Sequence, residues 1–152
     1  MKKEIKKTAA EFLERMLIFD ARVKVVEVDG LFEINFDIQS PGVLIGKNGE
    51  TMKAVEQILR LLISKKIQEP VNISLDIAGY KDKIKKEIEG MGLRAAKSAI
   101  KTGRAQALLP MNGYERRLIH LALKEFKGIE TESIGEEPNR RVVIKAEKKV
   151  LA

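Results

Sequence analysis

The residues best suited to binding chemistry form one short loop, Gly46-Lys47-Asn48-Gly49. Glycines at both ends of a four-residue loop let the backbone approach another molecule closely. An amphipathic segment follows the loop, and the first N–H groups of a helix are unpaired and attract anions. Lys47 adds a positive charge at the tip, and the apolar Ile45 comes just before the loop. These residue types in this order predict a clamp for a sugar–phosphate backbone.

Two basic residues extend the predicted clamp along the following helix. Lys53 and Arg60 lie seven residues apart, which is about two helical turns, so both share a polar face with Gln57. Such a face is suited to following a phosphate track. The alternative is a plain surface turn on a solvated helix, because many turns contain two glycines. The loop does not match the Gly-x-x-x-x-Gly-Lys-Ser/Thr cradle of nucleotide-binding proteins.

A second basic cluster lies in the segment 116–120. At about 100° per residue, one sector of a helix contains Arg116, His120, Lys124 and Lys127. Arginine and histidine offer a planar face for bases and donors for phosphate. We therefore expect Arg116, His120 and Lys124 to contact nucleic acid, with an idle solvated face as the alternative. General acid–base catalysis has little support, because the pattern supplies no partner nucleophile or metal.

Two further arginines, Arg140 and Arg141, open the last predicted strand beside the acidic pair Glu136-Glu137. Alternation along a strand sends the two arginine side chains to opposite faces. We expect one of them to pair with an acidic neighbour and the other to face a ligand. The pattern leaves open which arginine does which.

The composition excludes several classes of chemistry. The chain has no cysteine and one histidine, which rules out thiolate catalysis, disulfides, and zinc sites built on cysteine or several histidines. No apolar run reaches the roughly 18 residues of a membrane span, and no secretory leader is recognisable. We expect a cytoplasmic protein without a membrane span, catalytic residues, metal or cofactor.

The net charge of +7 is unevenly distributed along the chain. Residues 1–89 hold 16 Lys/Arg and 15 Asp/Glu, a net +1, whereas residues 90–152 hold 13 and 7, a net +6. A surface rich in lysine and glutamate explains the charged content but not this asymmetry. The excess indicates an electrostatic role for the C-terminal part.

The hydrophobic pattern predicts the elements that position these residues in the first half. Apolar residues at helical spacing, including Met16 and Leu17, predict a helix over 2–18. Asp29-Gly30 predicts a hairpin turn between two strands. After the glycine loop we expect a helix to about residue 67 and a strand over 71–77. The predicted order is helix, strand, strand, short helical turn, glycine loop, helix, strand.

The second half is predicted to form a long helix over 80–102 followed by smaller elements. Gly90 and Gly92 interrupt this helix and mark a bend or a domain boundary, and Gly103 ends it. We expect a short strand within 105–109, a helix over 114–126, and paired strands over 130–133 and 140–146.

Three motifs resemble the bacterial Jag family, also called KhpB, over nearly the whole chain. They are Gly-Lys-Asn-Gly-Glu-Thr-Met (46–52), Pro-Met-Asn-Gly-Tyr-Glu-Arg-Arg-Leu-Ile-His (110–120) and Thr-Glu-Ser-Ile-Gly-Glu-Glu-Pro-Asn-Arg-Arg-Val-Val-Ile (131–144). The resemblance implies an α+β protein. A prokaryotic-type (type II) KH domain over 1–79 would precede a small α/β sandwich, the R-x-x-x-H domain, over 80–152. The Gly-x-x-Gly clamp maps onto Gly46 to Gly49, and the named arginine and histidine map onto Arg116 and His120.

The same resemblance implies a role and partners. Members are similar to RNA chaperones and post-transcriptional regulators that bind single-stranded RNA, linked to cell elongation, cell-wall homeostasis and sporulation. It also implies a small single-KH-domain protein partner, and we hold open a homodimer. Many members carry an additional N-terminal domain, so functions that need it fall outside this expectation. The residues leave open single-stranded DNA binding and a protein-interaction adaptor. A nuclease is disfavoured, because no carboxylate–metal constellation is recognisable.

Overall fold

The computed structural model describes residues 1–148 of the chain and divides it into two compact units, Met1–Lys81 and Asp82–Ala152. The first unit contains α1 (Lys2–Arg15), β1 (Arg22–Val28), β2 (Leu31–Asp37), α2 (Gly42–Ile45), a 3-10 turn (Lys47–Gly49), α3 (Glu50–Ile67) and β3 (Ile73–Ile77). This order is the one that the sequence predicted. The mixture of helices and strands agrees with the predicted α+β class.

The three strands of the first unit form one sheet in the order β1-β2-β3. β1 and β2 are antiparallel and joined by the predicted Asp29-Gly30 turn, whose two residues have φ of 50° and 79°. β2 and β3 are parallel. α1 packs on β1, α3 packs on β3, and the two helices pack on each other. The largest fully buried side chains here are Phe36, Ile5, Leu13, Ile34, Leu44, Leu59, Ile63, Ile73, Leu75 and Ile77.

The predicted end of α1 was wrong by three residues. The helix stops at Arg15, and Leu17 adopts the left-handed conformation with φ of 61°. The N–H groups of Leu17 and Ile18 donate to the carbonyls of Glu14 and Leu13, at 2.9 Å each. This is the hydrogen-bond pattern of a Schellman motif, which usually has glycine at the left-handed position. Met16 and Leu17 are consequently exposed rather than part of the apolar stripe.

Two details of α3 and β3 also differ from the prediction. Ile58 and Leu62, predicted as part of the buried stripe of α3, are 45% and 42% exposed. β3 begins at Ile73 rather than Val71. Val71 is buried, but its N–H donates to Oγ of Ser64 at 3.1 Å, so its backbone is tied to α3 rather than to the sheet.

The second unit packs two helices against a second sheet of three strands. Its elements are α4 (Tyr80–Thr102, which starts just before the boundary of the unit), β4 (Gln106–Ala107), α5 (Gly113–Leu123), β5 (Ile129–Ile134) and β6 (Arg141–Ala146). The strand order is β4-β6-β5, and both pairings are antiparallel. Both helices and the sheet contribute buried side chains to one core, including Ala96, Ala99, Leu118, Ile119, Leu123, Val142 and Ile144.

The predicted interruption of α4 at its glycines was wrong, because the helix is continuous across both. Gly92 is buried, and a Cβ added there would lie 3.1 Å from Cδ1 of Ile119 on α5. The missing side chain thus lets α5 pack closely on α4. Gly103, with φ of 69°, ends the helix as predicted, and its N–H donates to the Ala99 carbonyl at 2.9 Å.

None of the helices within residues 1–148 combines the length and the apolar character needed to cross a membrane.

Candidate nucleic-acid interface

The glycine loop has a backbone shape that explains its residue types. Gly46, Asn48 and Gly49 have φ of 70°, 54° and 75°, and asparagine tolerates the left-handed region better than most side chains. A Cβ on Gly46 would collide with the side chain of Thr51, and one on Gly49 would lie 3.1 Å from Cε1 of Tyr80. Both glycines were predicted to serve the approach of a ligand. The packing of the loop itself also requires them.

The tip of the loop presents polar groups to solvent. Lys47 and Asn48 are exposed, whereas Ile45 is half-buried and packs against the core. Within residues 1–148, neither Lys47 nor Asn48 makes a side-chain hydrogen bond or ion pair. Gly49 is the N-cap of α3, and no side chain caps that end. A helix start carries a partial positive charge, so it reinforces the exposed lysine; the acidic Glu50 of the first turn opposes it.

Lys53 and Arg60 differ in their surroundings despite sharing a predicted face. Lys53 is exposed near the start of α3. Arg60 donates to Oε1 of Gln57, Oε1 of Glu56 and the carbonyl of Ile73, each at 3.1 Å. These contacts tie α3 to β3. The place of Arg60 on a phosphate track stays a prediction, since a phosphate would compete with these internal acceptors.

Arg116 is largely enclosed, with its side chain 12% exposed. Its Nη1 donates to the carbonyl of Met111 at 2.6 Å, and its Nη2 donates to Oε1 of Glu137 at 2.8 Å. The arginine thus fastens α5 to the segment before it and to the turn between β5 and β6. The expectation that Arg140 or Arg141 pairs with an acidic neighbour was wrong, because Glu137 pairs with Arg116 instead.

His120 is half-buried between α5 and β5. Its Nδ1 lies 2.7 Å from Oγ1 of Thr131, and its Nε2 lies 2.8 Å from Oγ of Ser133. Burial, and secondly the positive charge of Arg116, lower the pKa of His120 below its usual value. A hydroxyl both donates and accepts, so the neutral imidazole satisfies both contacts. The histidine predicted for a solvated polar stripe is held by two hydroxyls of the neighbouring strand.

The remaining predicted residues are on the surface of the second unit. Lys124 is exposed just after α5. Arg140 is exposed and precedes β6, and its carbonyl accepts the Met111 N–H at 3.1 Å. Arg141 is half-buried, with its Nε 3.4 Å from the carbonyl of Asn139. Neither arginine forms an ion pair within the described part of the chain.

The cap that sets the start of α5 was not predicted from the sequence. The side chain of Asn112 accepts the Glu115 N–H at 2.9 Å, and the Glu115 carboxylate accepts the Asn112 N–H at 3.0 Å. This reciprocal pair is a capping box. The Asn-x-x-Glu spacing was its signal in the sequence. The cap fixes where α5 begins and therefore which of its side chains face solvent.

No cluster within residues 1–148 has the three or more His, Asp or Glu side chains that would hold a metal ion. The polar groups at both candidate surfaces are cations, amides and hydroxyls. Such groups suit the binding of an anion.

The class of protein is shown first by the second unit, because residues 86–146 match the family model of the R-x-x-x-H domain. The RNA-binding protein KhpB of Clostridium symbiosum is 33% identical over 148 residues, which cover 94% of this chain and 67% of that protein. The KhpB proteins of Lactiplantibacillus plantarum and Bacillus subtilis are each 32% identical, over 73% and 70% of this chain. The chain belongs to the KhpB family. It matches only 34% and 52% of the length of these last two relatives.

Proposed function

We propose that this chain is a non-enzymatic RNA-binding protein that holds single-stranded RNA through exposed groups of both units. The observation that carries the proposal is the Gly46–Gly49 loop, where Lys47 and Asn48 are exposed, without a protein partner in residues 1–148, beside an uncapped helix start. The family adds support, because the relatives are named RNA-binding proteins.

In this proposal the first unit is a prokaryotic-type KH domain. Its support is the element order, the position of the glycine loop between α2 and α3, and the parallel pairing of β2 with β3. The loop would clamp about four nucleotides of backbone, as KH domains do. Lys53, exposed one turn into α3, would bind an adjoining phosphate. Ile45 would contribute apolar surface beside the loop.

The second unit would supply another binding surface around α5 and the start of β6. It includes Arg116, His120, Lys124, Arg140 and Arg141. Two weak sites on one chain raise the overall affinity wherever both engage one strand. The cellular role would be that of an RNA chaperone or post-transcriptional regulator in the cytoplasm, with links to cell elongation and the cell wall. A small single-KH protein and a second copy of the chain are the proposed protein partners.

The test is the binding of a short single-stranded RNA to the full chain, measured by fluorescence anisotropy. Replacing Lys47 and Asn48 with aspartate puts negative charge at the clamp, and an aspartate can adopt the left-handed backbone of Asn48. We expect affinity to fall at least about tenfold, since each lost charge-assisted contact contributes roughly 1.5–3 kcal/mol. Equal affinity of wild type and variant would refute the clamp.

A matched control separates the local effect from the change in net charge. Lys3→Glu with Lys7→Gln lowers the net charge by the same three units on exposed positions of α1. The ion pair of Glu4 with Lys66 sets this end of α1 beside the far end of α3. We expect the control to retain most of the affinity. A DNA of the same sequence, added as competitor, tests the alternative of single-stranded DNA binding.

A further inference from the structure

A row of exposed side chains on α5 lacks partners within residues 1–148. Tyr114, Arg117 and Leu121, with Lys124 just after the helix, follow one another at intervals of three, four and three residues, so they share one face. Tyr114 and Leu121 are 53% and 57% exposed, and Arg117 and Lys124 are also exposed. The row is about 15 Å long at 1.5 Å per residue. We call these four residues the α5 row.

The neighbouring Arg116 and His120 are engaged in contacts with other elements. Arg116 binds Met111 and Glu137, and His120 lies between the hydroxyls of Thr131 and Ser133. A strand that bound through these two side chains would have to displace short internal contacts. The α5 row offers its groups without that cost.

We propose that the α5 row is the surface of the second unit that touches single-stranded RNA, and that Arg116 and His120 position α5. This inference rests on the proposed function and deepens it. The Tyr114 ring would stack on a base, which suits strands of any sequence. Arg117 and Lys124 would bind phosphates on either side of the apolar contact with Leu121.

The charges around the row favour a polyanion over a basic or apolar protein surface. Arg117 and Lys124 form no ion pair within residues 1–148. The carboxylates of Glu115 and Glu137 are occupied by the helix cap and by Arg116, which leaves Glu125 as the acidic neighbour just after the helix. The carbonyl of Arg140, an exposed residue, accepts the N–H of Met111 just before α5. Positive charge therefore continues past the Tyr114 end of the row.

The chain contains no tryptophan, so Tyr114→Trp introduces a single fluorescent reporter at the proposed stacking position. We expect saturating single-stranded RNA to quench this fluorescence. Phe19→Trp is the control, because Phe19 is an aromatic residue of the first unit that is 76% exposed. Full occupancy by RNA, monitored by anisotropy, with unchanged fluorescence of the Tyr114→Trp protein would overturn the proposal.

A second measurement uses Tyr114→Leu with Arg117→Gln in the full chain. We expect about a tenfold loss of RNA affinity, since one base–aromatic stack is lost. The slope of log affinity against log salt should become shallower by about 0.7, because one phosphate contact is removed. Thermal unfolding should be unchanged, because both side chains are exposed. Unchanged affinity and slope would overturn the role of the row.

The two proposals fail in distinguishable ways. If wild type binds RNA and only the loop variant loses affinity, the α5 row is refuted while RNA binding stands. If the wild-type chain does not bind RNA at all, the proposed function fails and the row falls with it.

Discussion

Arg116 and His120 have the residue types of a nucleic-acid site, yet the folded chain uses both side chains for its own contacts. The guanidinium binds a carbonyl and a carboxylate, and the imidazole lies between two hydroxyls. Their partners are up to 21 residues away in the sequence. The spacing of four residues along a helix was correctly predicted. The side chains opposite them depend on how β5 packs on α5, which spacing alone does not reveal.

The lowered pKa of His120 predicts a specific dependence of stability on pH. The folded chain binds the proton less tightly than the unfolded chain, whose histidine has a pKa near 6.5. This penalty is absent above pH 6.5 and grows as the pH falls through 6.5 toward the lower folded pKa. We therefore expect the free energy of unfolding, measured with urea, to fall between pH 7.5 and about pH 5.5.

His120→Gln supplies the control for this titration, because glutamine keeps hydrogen-bonding groups but does not titrate. Carboxylates contribute equally to both proteins, so the difference between their pH dependences isolates the histidine. Identical pH dependence of the two proteins would show that His120 has no shifted pKa.

Exposure at single positions was predicted better than contacts were. Lys47, Asn48 and Lys53 are exposed, as expected of a polar loop and the polar face that follows it. Arg60 was assigned to the same face, and its polar character gave no sign that Glu56 and the Ile73 carbonyl bind it. A long side chain can reach a neighbouring strand, and only the packing decides whether it does.

At the scale of elements, local signals located most helices and strands, and the errors have local causes. α1 ends early because Leu17 takes a left-handed position that usually belongs to glycine. α4 continues through Gly92 because the close packing of Ile119, rather than a bend, requires a glycine there. In both cases the sequence rule was sound, but packing outweighed it.

The two glycines of α4 give a paired test of this explanation. Gly92→Leu must push against Ile119, so we expect it to lower the free energy of unfolding by about 1–3 kcal/mol. Gly90→Leu meets only the flexible end of Arg94 at 3.3 Å. Since leucine favours helices over glycine, this second change should be neutral or stabilising. Chemical denaturation of both variants makes the comparison.

Equal losses from the two substitutions would contradict a specific contact of α5 at Gly92. They would instead indicate that any side chain on this part of the helix is harmful.

At the scale of the whole molecule, the order of elements followed from periodicity because periodicity is local. The pairing of β2 with β3, and of β6 between β4 and β5, depends on long-range contacts. The sequence did indicate that residues 90–152 carry most of the excess positive charge. The fold exposes part of that charge, including Arg117, Lys124 and Arg140, without an ion-pair partner in residues 1–148.

The most direct test of the account is the affinity of the full chain for an unstructured single-stranded RNA across a range of salt concentrations. If Lys47, Lys53, Arg117 and Lys124 each bind a phosphate, log affinity should fall with log salt at a slope of about −3. Steep salt dependence is the result that we predict. Absent binding at low salt, or binding that salt leaves unchanged, would contradict the claim that exposed cations of both units hold an RNA backbone.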